Sequence, residues 1–280
     1  MYLTVLGHPT YCYTGGKPFD AAKPTIVFIH GVLNDHSVWI LQTRYLAHHG
    51  FNVIAVDLPG HGKSAGVNRD IAPCLSVEAA ADFILALLDA ANIKTAALVG
   101  HSFGSLIALE VAARAPSRIS HLAMVGTAFP MPVSAALLDA SLNQPMKAID
   151  MVNTFSHSML APPPSTLGPG TWLYGGSKAL MRRIQASNTH FNLFHTGFTA
   201  CNDYKQGLAG VKHASAAMLF IVGKSDQMTP PKAAMVLVNE AKAQGKDVKV
   251  VTLEAGHSLM TETPDGVLMA LKGFLAPLLH

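Results

Sequence analysis

Ser102 lies between two glycines, in Gly100-His101-Ser102-Phe103-Gly104, and is the side chain best placed to act as a nucleophile. An aliphatic hydroxyl reacts poorly at neutral pH unless a base is within hydrogen-bond reach and a third group orients that base. The chain has 14 histidines, so the base has to be chosen by position. His257 closes Glu254-Ala255-Gly256-His257, immediately after the last β-rich run, Val248–Leu253. Asp226 closes Gly223-Lys224-Ser225-Asp226 after the run Met218–Val222 and is the candidate acid. Glu254 is nearer to His257 along the chain but reads as a solvated or capping charge. Acyl transfer also needs donors for a developing oxyanion. The N–H of Phe103 directly follows the serine, and the N–H of Val32 lies in His30-Gly31-Val32, where Gly31 permits close approach. His101 neighbours Ser102, but its side chain is expected to point away from the hydroxyl. His30 and His61 read as hydrogen-bonded packers of their loops, and Asp57 as turn structure in Asp57-Leu58-Pro59-Gly60.

The elements around these residues must bring them to one edge. Ala96–Val99 is a short apolar run of the kind shown by a strand buried on both faces. A helical pattern follows it at once, with Leu106, Leu109 and Ala113 at three- and four-residue spacing. Upstream, Tyr2–Leu6 and Thr10–Tyr13 read as a hairpin around Gly7-His8-Pro9, and Thr25–Ile29 and Phe51–Val56 as further strands. Helices are expected over Ser37–His49 and Ser76–Ala91, and a strand over Ile119–Val125. The sequence of residues 129–204 then changes texture, becoming rich in Pro, Met, Phe and Ser, with Pro162-Pro163-Pro164 and Gly168-Pro169-Gly170 as interruptions. Alternation resumes with the strand Met218–Val222, a helix over Pro231–Ala243, the strand Val248–Leu253 and a closing helix over Pro264–Leu279. Strands alternating with helices imply a parallel sheet with helices on both faces. Ligands of such open sheets bind at the C-terminal edge of the strands, where Ser102, Asp226 and His257 are all expected.

Strand, sharp turn and helix around Gly-x-Ser-x-Gly form a nucleophile elbow, and in this the chain resembles the α/β-hydrolase superfamily. The resemblance covers residues 25–127 and 215–260. It implies an α/β-hydrolase fold, an eight-stranded mostly parallel sheet with a helical lid inserted after strand 6. Residues 1–128 and 205–280 then form the core and 129–204 the lid. The order Ser102, Asp226, His257 is the order that the family uses. Some relatives carry the acid after the sixth strand, where this chain has Gly126-Thr127, which favours Asp226. The implied activity is hydrolysis of carboxylic esters through an acyl-enzyme on Ser102, with no cofactor and no metal. Carbon–carbon hydrolases of ring-fission products use the same triad, but often place tryptophan after the histidine, where this chain has Ser258. The loops also resemble those of cofactor-free haloperoxidases. A ligand-binding protein on the same scaffold is the alternative from another class, and a complete triad argues against it.

The expected lid carries Phe129, Met131, Met146, Met151, Phe155 and Met159 in its first half, and Trp172, Phe191, Phe194 and Phe198 in its second. Together they suggest a pocket for a small-to-medium apolar group. Arg182-Arg183 could meet a substrate carboxylate, but a solvated pair is the simpler reading. The chain has 280 residues, 50% of them hydrophobic and 13% charged, so it is globular and rather apolar. A net charge of +3 is too small and scattered to suggest nucleic acid. No run approaches the ~18 apolar residues of a membrane span. Cys12, Cys74 and Cys201 fit neither a disulfide nor a metal framework. Without a basic-then-apolar leader ahead of Met1–Gly7, a cytoplasmic location is expected. The expected partner is a small-molecule substrate.

Overall fold

A computed structural model describes residues 1–20, 22–65, 75–158, 171–188 and 190–279. Cys74, Met159, the proline run at 162–164 and the Gly168-Pro169-Gly170 segment lie outside the described residues. Eight strands build one sheet: β1 (Tyr2–Val5), β2 (His8–Tyr13), β3 (Thr25–Ile29), β4 (Asn52–Val56), β5 (Ala96–His101), β6 (Ile119–Val125), β7 (Ala217–Gly223) and β8 (Val248–Leu253). Their spatial order is β1-β2-β4-β3-β5-β6-β7-β8. From β4 to β8 all neighbours are parallel, and only the β1–β2 and β2–β4 pairings are antiparallel.

Each central strand is buried on both faces, which is why it reads as an unbroken apolar run. The two-residue pleat deals its side chains to two separate cores. On β3, Val27 and Ile29 join the core beneath α2 (Val77–Ala90) and α3 (Phe103–Arg114), whereas Ile26 and Phe28 join the opposite core. That second core is closed by Leu46 of α1 (Ile40–His48) and by Leu271 and Phe274 of α11 (Pro264–Leu275). Between β6 and β7 the chain adds α4 (Ala135–Asn143), α5 (Pro145–Ser156), α6 (Leu173–Ser187), α7 (Leu193–Asp203) and α8 (Gly207–His213). The core helix α9 (Pro231–Ala243) and the single turn α10 (Leu259–Glu262) follow β7 and β8.

Three local expectations change. The hairpin turns at Leu6-Gly7, with φ of 49° and 82°, rather than at Gly7-His8-Pro9. Positive φ at both central residues gives the two-residue turn whose twist matches the flanking strands. Pro9 is instead a strand residue opposite Thr4, and it is tolerated because β2 meets β4 only at Cys12 and Tyr13. The helix expected from Ser37 starts as a 3-10 turn at His36–Trp39, capped by the Asp35 side chain, and becomes α-helical only from Ile40. The closing helix likewise ends at Leu275 and continues as a 3-10 turn through Leu279.

Candidate active site

β5 runs through His101 into Ser102, which takes φ 52° and ψ −119° before α3 begins at Phe103. A non-glycine residue in that region is strained, and strain of this kind persists only where the surroundings enforce it. The flanking glycines show how tight the turn is. A Cβ on Gly100 would stand 2.1 Å from the Gly104 carbonyl oxygen, and one on Gly104 would stand 2.3 Å from that of Ile29. The Gly-x-Ser-x-Gly pattern is therefore a packing requirement: any side chain at either position would force β5, α3 and β3 apart.

Asp226 and His257, the expected acid and base, come from neighbouring loops that touch through their backbones. A Cβ on Gly223 would lie 2.2 Å from the Gly256 carbonyl oxygen, and Ser225 N–H donates to the Ala255 carbonyl at 3.0 Å. This contact sets Asp226 beside His257, with Nδ1 to Oδ2 at 2.9 Å. Oδ1 of Asp226 accepts the N–H groups of Met228 and Thr229, both at 2.8 Å, and Thr229 Oγ1 donates to Oδ2 at 2.7 Å. Burial alone would raise the Asp226 carboxyl. The neighbouring His257 and these hydrogen bonds outweigh it and hold the carboxyl below its usual range. An ionised Asp226 claims the Nδ1 proton of His257, which leaves Nε2 as the basic nitrogen.

Three further contacts fix the His257 loop. His101 Nε2 donates to the His257 carbonyl at 3.0 Å, and the two rings lie 4.7 Å apart. His101 is thus turned toward the His257 loop, away from the serine hydroxyl as expected, and burial followed by the charge of His257 pushes it down to about 3. Gly126, at φ 55°, leaves the space in which the His257 ring sits, since a Cβ there would lie 3.2 Å from Cε1 and Nδ1. The N–H groups of His257 and Ser258 both donate to the Ser156 carbonyl at the end of α5, at 2.8 and 3.0 Å.

Ser102 and His257 line two cavities together, although among the described residues no hydrogen bond joins their side chains. One cavity, of about 240 Å³, runs between Val32, Val152, Trp172, Leu180 and Met181. The other, of about 280 Å³, runs between Met131, Leu137, Met151, Phe155 and Cys201. Phe198 and Met228 border both. Among the described residues neither cavity is lined by Lys, Arg, Asp or Glu. Of the aromatic and methionine residues expected to line a pocket, Met131, Met151, Phe155, Trp172 and Phe198 do so. Phe194 instead packs against Phe198 at 4.9 Å.

Val32 is nearly buried on the wall of the first cavity, and Phe103 opens α3 with its N–H free of any helical acceptor. The loop carrying Val32 is fixed by His30, whose Nδ1 donates to the Gly31 carbonyl at 2.8 Å while Nε2 accepts the Leu58 N–H at 3.1 Å. Asp57 is wholly buried and accepts the N–H groups of His36 and Lys63, at 2.7 and 2.9 Å. It organises its loop, as the turn reading expected. Asp35, His36 and Asp57 form the one group of three possible metal ligands among the described residues, but their oxygens already serve Ser37, His36 and Lys63. Glu254 pairs with Lys224 at 2.7 Å on the surface, and Arg183 reaches Asp35 at 3.5 Å.

Sequence reasoning passed over Thr229, Gly126 and Glu262. Thr229 sits three residues after an aspartate, the spacing of a local side-chain-to-backbone turn, and this signal could have been used. Gly126 was noted only as lacking a carboxylate. Glu262 carries no sequence signal, because its partner Ser158 is distant in the chain and only the fold brings the two together.

Comparisons with known proteins agree with this architecture. The esterase from Exiguobacterium antarcticum superimposes with a TM-score of 0.79 at 17% identity, covering 98% of each chain. The monoacylglycerol lipase abhd6-B of Xenopus laevis is 25% identical over 97% of this chain and 81% of its own. The dihydrolipoyllysine-residue acetyltransferase component of the acetoin cleaving system of Pseudomonas putida is 38% identical over 115 residues, but these make up only 28% of that protein. The family described as "Alpha/beta hydrolase family" matches residues 26–270, and with the sheet and elbow in place the chain belongs to the α/β-hydrolase family.

Proposed function

We propose that this α/β hydrolase is a serine hydrolase that cleaves uncharged carboxylic esters with small-to-medium apolar arms. The observation that carries the reading is the shared placement of Ser102 and His257 on two cavities that no Lys, Arg, Asp or Glu lines among the described residues, with His257 already bonded to a buried Asp226. Ser102 Oγ attacks the ester carbonyl carbon while His257 Nε2 takes its proton. Asp226 holds the imidazole by Nδ1–H and stabilises the imidazolium as it forms. The N–H groups of Val32 and Phe103 receive the oxyanion, where each such donor is worth about 3–4 kcal/mol in the transition state. The imidazolium then protonates the leaving alkoxide. His257 Nε2 then takes a proton from water as it attacks the acyl carbon, and returns it to Ser102 Oγ as the C–Oγ bond breaks and the carboxylic acid leaves. The hydrogen bond from Ser102 to His257 is expected to form in the substrate complex, where catalytic hydrogen bonds often tighten. Residues 129–204 serve as the lid, contributing the apolar walls and excluding water.

Short p-nitrophenyl esters should give a burst followed by steady turnover, and Ser102→Ala should abolish both. Normal turnover by that variant would end the reading. Among the described residues no Lys or Arg lines the cavity walls, which also predicts that an ester with a carboxylate in either arm reacts far more slowly than its neutral isostere.

A further inference from the structure

His257 is held from two directions. Its ring belongs to the core, through Asp226 and Thr229, but its backbone belongs to the helices inserted between β6 and β7. The Ser156 carbonyl would be one of the unpaired carbonyls at the end of α5. It accepts the N–H groups of both His257 and Ser258, at 2.8 and 3.0 Å. Glu262, on the single turn after the histidine, completes the join. Its Oε1 accepts the Gly256 N–H at 3.1 Å, and its Oε2 accepts the Ser158 N–H at 2.9 Å and the Ser158 hydroxyl. One carboxylate therefore ties the residue before the histidine to the chain leaving α5. Packing supports the same conclusion independently, since a Cβ on Gly256 would fall 2.7 Å from Ser156 O and Ser158 N. Gly256 carries no positive φ, so close backbone approach is what requires glycine there.

We propose that Glu262 is a positioning residue that couples the inserted helices to the base of the reaction. Resting on the triad reading above, the proposal adds that the inserted segment sets the position of His257 as well as enclosing substrate. Glu262 lines neither cavity, so its effect reaches the reaction through the His257 backbone. Its removal should therefore appear in kcat rather than in KM. Nothing in the Ser102, Asp226, His257 pattern points to this glutamate.

The test compares wild type with Glu262→Ala, Glu262→Gln and a surface control, Glu254→Ala, on a neutral p-nitrophenyl ester. It is paired with hydrogen exchange of the peptide spanning residues 254–262. Glu262→Ala should lower kcat about tenfold or more, as small misplacements of reacting groups do, with KM within about twofold. Exchange in that peptide should become faster while the core strands stay protected. Glu262→Gln keeps one accepting oxygen and should recover a substantial part of kcat, and Glu254→Ala should match wild type. A kcat within about twofold of wild type, a rise confined to KM, or an equal loss in both Glu262 variants with faster exchange across the whole molecule would each overturn the proposal. If wild type cleaves no ester, the hydrolase reading fails. The exchange measurement still decides whether Glu262 fixes the His257 loop.

Discussion

Gly126 stands at the end of β6 with φ of 55°, and the ring of His257 fills the space where its side chain would be. Gly126→Ala combines two penalties. The left-handed backbone costs an alanine roughly 1–2 kcal/mol, and the new methyl meets Cε1 and Nδ1 of His257 at 3.2 Å. The ring must move or the strand end must shift, and either change disturbs the bond from Nδ1 to Asp226. The expected result is a modest fall in melting temperature with a loss of kcat of about tenfold or more. Steady-state kinetics beside a thermal melt will separate the two effects, and a loss of stability without a loss of kcat would show that the ring has room to adjust. This position also shows what could be read at the scale of single residues. Ser102 announced itself through glycines that only a sharp turn requires, and Asp226 and His257 through their places just after strands. Gly126 and Thr229 act by space and by a shared hydrogen bond. A residue whose role is to leave room gives no chemical signal until its neighbour is known.

Among the elements, α7 and the segment after it are fastened to the core by a buried polar contact. Tyr204 donates its hydroxyl to Glu110 Oε2 at 2.7 Å, and the other oxygen of Glu110 accepts from Arg114 Nε at 2.8 Å on α3. Both Tyr204 and Glu110 are almost wholly buried. Tyr204→Phe removes the donor and leaves a buried carboxylate oxygen without a partner, which typically costs about 1–3 kcal/mol. The urea midpoint should fall by a corresponding amount with an unchanged slope. An unchanged midpoint would mean that water reaches Glu110 in place of the hydroxyl. Elements with strong periodicity were legible: the central strands as apolar runs, and α2, α3 and α9 close to their ends. The 3-10 turn at His36–Trp39 was not, because the Asp35 cap closes a tighter turn than an apolar repeat can report. Helix α8 was missed for a related reason. It is seven residues long with two glycines, and tertiary contact maintains it: Gly207 packs on Phe129 and Gly210 on Leu109. Those contacts are between residues far apart in sequence.

For the whole molecule, the loops at the C-terminal edge of the sheet are built around histidines that must stay neutral. His30 bridges the Gly31 carbonyl and the Leu58 N–H, His61 lies 5.0 Å from it, and His101 supports the carbonyl of His257. Burial lowers all three; His61, also lowered by neighbouring His30, and His101, also lowered by His257, both fall to about 3. A folded value below the unfolded one means that the unfolded chain binds the proton more readily. These groups thus contribute fully above the unfolded value near 6.5, and their contribution is lost as pH falls toward 3. For His61 and His101 together, the loss between pH 7 and pH 5 is about 4 kcal/mol, a large part of the ~5–15 kcal/mol that holds a domain folded. Asp226 acts in the same direction: its value is held below the usual carboxylate range, so its contribution is also lost as pH falls, but only at still lower pH. Urea unfolding at pH 7 and pH 5 should show this fall in wild type. In His101→Gln, which is less stable at pH 7, the fall should be smaller by about 2 kcal/mol, because the His101 proton no longer distinguishes the folded from the unfolded chain. A stability independent of pH across this interval would mean that these histidines reach water or a compensating acid in solution. The neutral hydrogen-bond pattern assigned to the loops around Ser102 would then be wrong.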